Sequence, residues 1–313
     1  MPEYAIKPAD NLKQAILSVI AFFDLFDYPL TAYEIWEQTG KKWELVEILD
    51  FLNSETPEPA AGRVPAAIFE QKNGFYFLVG RAEIVVIRQK RHNYGAEKIK
   101  IARRFTRVFS FLPFVKMVAL ANALGQNNWR VESDIDFFIV SAPRRVWLTR
   151  LYCTGLAKLV NRRPTAKEKK DKICLSFYAA SDHLCLDDLR LKGADPYFDY
   201  WRRSLILLYN KKRTYERFLE ANGLLTPSFD LFSQKAAVKE KKTRKPSVIL
   251  NKLEFLAKKF QLAIMPAGLK ALMNKSDGVV INDSILKLYQ RDRRREYAEK
   301  YGNKIDEILK KDN

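Results

Sequence analysis

Apolar residues recur at helical spacing over residues 11–26, N-L-K-Q-A-I-L-S-V-I-A-F-F-D-L-F, and predict an N-terminal helix. D-Y-P-L-T then turns the chain. Thr31, with Glu34 three residues on, makes a capping box and predicts a short helix over 32–39 that ends at Gly40. A third helix is predicted at about 43–53. Residues 67–79 read as two strands joined by Asn73-Gly74, the strongest short hairpin signal. Three helices followed by a hairpin is the layout of a winged helix.

Residues 81–111 predict a long basic helix stopped by Pro113. V-K-M-V-A-L-A reads as a buried strand, Asp134 to Val140 as a second, and I-C-L-S-F-Y-A-A (173–180) as a third. A basic amphipathic helix is predicted over 144–160, with a lysine-rich loop after it. Helical patterns follow at 183–191 and 196–222, a charged linker at 239–247, and a basic, mainly helical region to the C-terminus. The fold class expected is mixed α+β. It divides into a winged-helix-like module (1–80), a connecting basic helix (81–112), a small mixed-sheet domain flanked by helices (113–225) and a helical C-terminal region (226–313).

Charge changes this picture. The net charge is +18, yet residues 1–80 carry 6 basic and 12 acidic residues, net −6. Segments 81–117 and 141–172 are each net +8, and 239–313 is net +9. Such segments attract polyanions, while the acidic N-terminal module is a poor match for a DNA reader. The third predicted helix, W-E-L-V-E-I-L-D-F-L, carries Glu44, Glu47 and Asp50 where a recognition helix needs cations. The module is therefore expected to pack or to contact protein. Three cysteines without C-x-x-C spacing exclude a disulfide framework and a cysteine zinc site. The N-terminus M-P-E-Y-A-I-K-P lacks the pattern of a secretory signal, and Ala15 to Phe26 is too short to span a bilayer. A cytoplasmic protein with no membrane partner is expected.

The sharpest chemistry lies in S-D-I-D-F-F-I-V. Asp134 and Asp136, at i and i+2 of a strand start, share one face. Two carboxylates on one face repel unless a cation lies between them, and a divalent ion with oxygen ligands suits that place. On spacing alone, a polar turn with one capping and one exposed aspartate is the commoner arrangement.

The wider segment V-A-L-A-N-A-L-G-Q-N-N-W-R-V-E-S-D-I-D-F resembles the signature of the DNA polymerase β-like nucleotidyltransferase superfamily: an apolar strand ending in Gly-Ser, a loop, then Asp-apolar-Asp-apolar. The N-terminal module, K-I-C-L-S-F-Y and D-P-Y-F-D-Y-W also look like an uncharacterised bacterial group of nucleotidyltransferase-domain proteins. The resemblance implies a mixed sheet with a nucleoside triphosphate bound by Ala121, Asn122, Ser133 and Arg150. It implies Mg²⁺ or Mn²⁺ held by Asp134 and Asp136, and two-metal transfer of a nucleoside monophosphate to an acceptor hydroxyl, on RNA or protein. The chain departs from the signature in two places. Ala121-Asn122 stands where Gly-Ser is usual, and strand 173–180 offers Cys174 and Ser176 but no third carboxylate. Binding of nucleotide or nucleic acid without catalysis is the alternative that these departures leave open.

Other candidates divide less sharply. Arg144 and Arg145 follow the acidic strand and fit either nucleotide phosphates or a solvated helix face. Trp147, Tyr197 and Trp201 fit core better than base stacking, and His183 fits a surface role better than a base.

Overall fold

A computed structural model describes residues 11–40, 42–56, 68–121, 129–165, 167–224 and 247–312. The N-terminal elements follow the sequence signals. Helix α1 (Leu12–Asp24) is capped by the Asn11 side chain, which accepts from the Gln14 N–H. Helix α2 (Ala32–Gln38) starts at the Thr31–Glu34 capping box, and α3 (Leu45–Glu55) follows. Strands β1 (Phe69–Lys72) and β2 (Phe75–Leu78) pair antiparallel, with Asn73 and Gly74 both at positive φ. That backbone suits the right-handed twist of a two-residue hairpin.

Helix α4 (Glu83–Phe111) leads into the central sheet. Its strands are β3 (Val115–Leu120), β4 (Ile135–Ser141), β5 (Ile173–Ala180), β6 (Ile206–Asn210), β7 (Val279–Ile281) and β8 (Ile285–Leu288). The strand order is β6-β3-β4-β5-β8-β7. Among the described residues only β4 and β5 are parallel neighbours, joined by the crossover helix α5 (Val146–Leu159). Among the described residues, the remaining helices are α6 (Pro196–Arg203), α7 (Thr214–Ala221), α8 (Val248–Ala263), α9 (Ala267–Leu272) and α10 (Arg294–Asp312).

Three expectations are corrected here. Region 196–222 is not continuously helical, because I-L-L-Y-N inside it is edge strand β6. Region 183–191 holds only a 3₁₀ turn at Asp187–Leu189. The C-terminal region contributes β7 and β8 to the main sheet as well as helices.

Alternation along the strands sorts the core into two layers. Ala119, Phe138, Val140, Phe177 and Ala179 face a layer built from α1–α3, α6 and α10. Val118, Ile135, Phe137, Ile139 and Leu175 face the layer of α4, α5 and α8. The N-terminal module packs directly on the first layer: the Phe22 ring lies 4.3 Å from Tyr200 of α6 and 5.9 Å from Tyr301 of α10. The expected packing role for this module holds within the chain itself.

Helix α5 has no cap of its own. Glu254 of α8 accepts from the Trp147 and Leu148 N–H groups at 2.7 and 3.1 Å and fills that role from across the interface. No helix among the described residues is long and apolar enough to cross a membrane.

Candidate functional site

Asp136 has the parity of Phe138 and Val140, so it faces the α6/α10 layer. There it lines a cavity of about 200 Å³ with Ala121 and Phe177 from the sheet. The oxygens of Asp134 and Asp136 and the Cys174 Sγ come within 4.8 Å of one another. Register explains the cysteine: Asp136 pairs with Cys174 across the parallel β4/β5 ladder. The next registered pair is Phe138 with Phe177, so β5 carries one extra residue here. Bulges of this kind re-aim side chains beside functional sites. The Cys174 Sγ lies 2.9 Å from the Ser176 Oγ.

Burial, and then the charge of Asp134, push the Asp136 carboxyl up to about 7. Burial and the neighbouring carboxylates also raise the Cys174 thiol well above its ordinary value, which keeps it protonated at neutral pH.

The opposite wall comes from a segment more than a hundred residues away. After β8, the chain places Tyr289, Arg291, Asp292 and Arg293 over the cavity, and α10 adds Arg294 and Tyr297. With Lys287, four basic side chains face two acidic ones, Asp136 and Asp292. The four cations are not equivalent. Arg294 is held by Asp195 at 2.7 Å and Asp292 at 3.0 Å, Lys287 by Asp292 at 2.9 Å, and Arg293 by Glu296 at 2.6 Å. Arg291 is exposed and makes no such contact among the described residues. Tyr197 and Tyr297 stack face to face, 5.3 Å between centroids and 8° between planes, and both line the cavity.

Two devices hold these walls. At Gly278, an added Cβ would lie 2.3 Å from the Tyr289 carbonyl oxygen and 2.8 Å from the Asp292 Cβ. The same glycine accepts the Tyr289 N–H at 2.8 Å. Gly278→Ala is therefore expected to destabilise the fold by about 1–3 kcal/mol by overpacking. Denaturant unfolding checks this, and an unchanged midpoint would mean that the 289–292 segment moves aside freely.

The second device is Lys98 of α4, only 2% exposed. Its Nζ donates to the Val131 and Ser133 carbonyls at 3.3 and 2.5 Å and to Asp171 at 2.9 Å, which fixes the turn entering Asp134. Lys98→Met is expected to cost about 2–4 kcal/mol, since it strands two carbonyls and a carboxylate. A loss under about 1 kcal/mol in urea unfolding would show that water replaces the ammonium.

The other expected site residues separate. Ala121 reaches the cavity, but its N–H is engaged with the Asp136 carbonyl at 3.0 Å. The Ser133 hydroxyl donates to the Arg130 carbonyl at 2.9 Å, within its own turn. Arg150 is not brought to the cavity. It lies in the layer on the other face of the sheet and donates to Gln261 of α8 at 2.6 Å. Asn122 and the linker segment 239–246 lie outside the described residues. Arg145 donates to Asn251 at 2.8 Å, away from the acidic pair. Trp147 is core, His183 pairs with Asp188 on the surface, and Tyr197 and Trp201 are cavity wall. Comparison of the chain with protein families, curated proteins and solved structures finds no match.

Proposed function

We propose that the chain is a metal-dependent nucleotidyltransferase whose cavity, at about 200 Å³, takes part of a nucleoside triphosphate together with one divalent cation. The supporting observation is that Asp136, beside Asp134, meets a basic, aromatic wall across one cavity. A nucleoside triphosphate has the matching parts: an apolar planar base and a polyanion that bridges to carboxylates through a cation.

The donor set fits one hard ion better than two. Asp134 and Asp136 supply oxygens, and Mg²⁺ commonly takes one or two carboxylates and completes its shell with water and phosphate. The third position holds Cys174, whose protonated thiol is a poor ligand for Mg²⁺. When bound, the cation would neutralise the acidic pair and polarise the phosphoryl oxygens. This chain's own residues supply the rest. Arg291 and Arg293 face the phosphates, the Tyr197–Tyr297 pair offers an apolar face to the base, and α6 excludes water behind it. Cys174 also favours a second reading, nucleotide binding without transfer.

Calorimetric titration with ATP tests the proposal. Mg²⁺ is expected to tighten ATP binding by about tenfold, within the usual range of ligand–ligand coupling. Asp134→Asn and Asp136→Asn are expected to remove that dependence while leaving metal-free binding in place. Equal wild-type affinity with and without metal overturns the proposal. Incorporation of α-labelled nucleotide into RNA or protein separates transfer from binding alone.

A further inference from the structure

Helix α8 is amphipathic with its apolar side outward. Its inner face carries Glu254 and Gln261, which cap and brace α5, together with Ala257. Outward lie Ile249, Leu253, Leu256, Phe260 and Ile264, spaced 4, 3, 4 and 4 residues apart and therefore on one stripe. They are 42% to 72% exposed. Single exposed apolar side chains need no explanation, but five in one continuous stripe mark an interaction surface.

Charge selects the partner. Lys252 and Lys259 border the stripe, both exposed, and no acidic residue of the helix faces outward, because Glu254 is committed to α5. The residues just before the helix, K-E-K-K-T-R-K (239–245), add five basic residues against one acidic. A second copy of the chain would meet this stripe with lysine against lysine, where paired helices need opposite charges beside the seam. An apolar stripe edged by lysines fits an anionic lipid surface, with the helix lying in the plane of the headgroups.

We infer that α8 is a peripheral membrane-docking helix that binds anionic bilayers through Ile249, Leu253, Leu256, Phe260 and Ile264. Such docking needs no helix that crosses the membrane, and it is independent of the nucleotide cavity.

The test uses the full chain and vesicle co-sedimentation, with phosphatidylcholine alone and mixed with phosphatidylserine. Binding is expected only to the mixed vesicles and is expected to weaken with salt. Leu256→Ser with Phe260→Ser should lower the partition coefficient about tenfold or more. Lys252→Gln with Lys259→Gln should lower it about thirtyfold, at about 1 kcal/mol for each of the two cations at the surface. Thermal unfolding of each variant should match wild type, because all four side chains point to solvent. Absence of binding to the mixed vesicles overturns the inference, as does equal binding by the serine variant. A dimer that the serine variant splits, without vesicle binding, would assign the stripe to a second copy instead.

Discussion

Replacing Arg294 with alanine is expected to lower the unfolding free energy by about 3–5 kcal/mol, the range for removing one partner of a buried ion pair. The Arg294 side chain is 6% exposed and that of Asp195 is fully buried. Asp195 is committed elsewhere as well. It caps α6 by accepting the Phe198 N–H at 3.1 Å, and it accepts the Leu191 N–H at 3.0 Å. The guanidinium also donates to the Leu189 carbonyl at 2.9 Å and to both Asp292 oxygens. Removing it leaves a carboxylate in a dry site and unties α10 from the start of α6. Lysine should recover only part of the loss, since one ammonium cannot span Asp195, Leu189 and Asp292 together. The double variant Asp195→Asn with Arg294→Met should lose less than the sum of the single changes. Urea unfolding of the four proteins measures this, and strict additivity would mean that the pair is not formed in solution.

The same ion pair shows why the site was only half legible in the sequence. The acidic pair could be read from D-I-D, because i and i+2 share a strand face whatever surrounds the strand. Cys174 as their neighbour could not, since it depends on a parallel register set across the α5 crossover. The wall from Lys287 to Tyr297 left a compositional trace, the run R-D-R-R-R, with nothing to say which face of the sheet it would cover. Arg150 stands apart from the cavity for a related reason. A crossover helix between parallel strands lies on one side of the sheet, and parity within β4 sends Asp136 to the other. Strands β6, β7 and β8 leave no distinct signal because strands of three to five residues carry too little periodicity to tell strand from helix. The capping box and the Asn-Gly turn were legible because their chemistry is local.

One of those local signals has a long-range partner, and its removal should produce a pH-dependent loss. Glu34 closes the α2 capping box by accepting the Thr31 N–H, and it also receives both Arg88 guanidinium nitrogens at 2.7 and 2.8 Å. Arg88 is buried on α4, sandwiched between the rings of Tyr28 and Phe75 at 4.4 and 4.3 Å. Burial alone would push the Glu34 carboxyl up, but the hydrogen bonds and charge of Arg88, with those from Thr31 and Tyr28, outweigh it and hold the carboxyl below its ordinary value. A carboxyl lowered in the folded state stabilises the fold fully above the unfolded value, about 4.3 for glutamate. That stabilisation fades as pH falls through the lower, folded value. Glu34→Ala is expected to cost about 3 kcal/mol at pH 7, because it strands a buried guanidinium and opens the cap. Glu34→Gln keeps the shape and removes the charge, so its deficit relative to wild type should shrink as pH drops below about 4. Urea unfolding of wild type and Glu34→Gln at neutral and acidic pH cancels every other titrating group in the difference. A gap that stays constant across that range would show that the Glu34 charge does not hold Arg88.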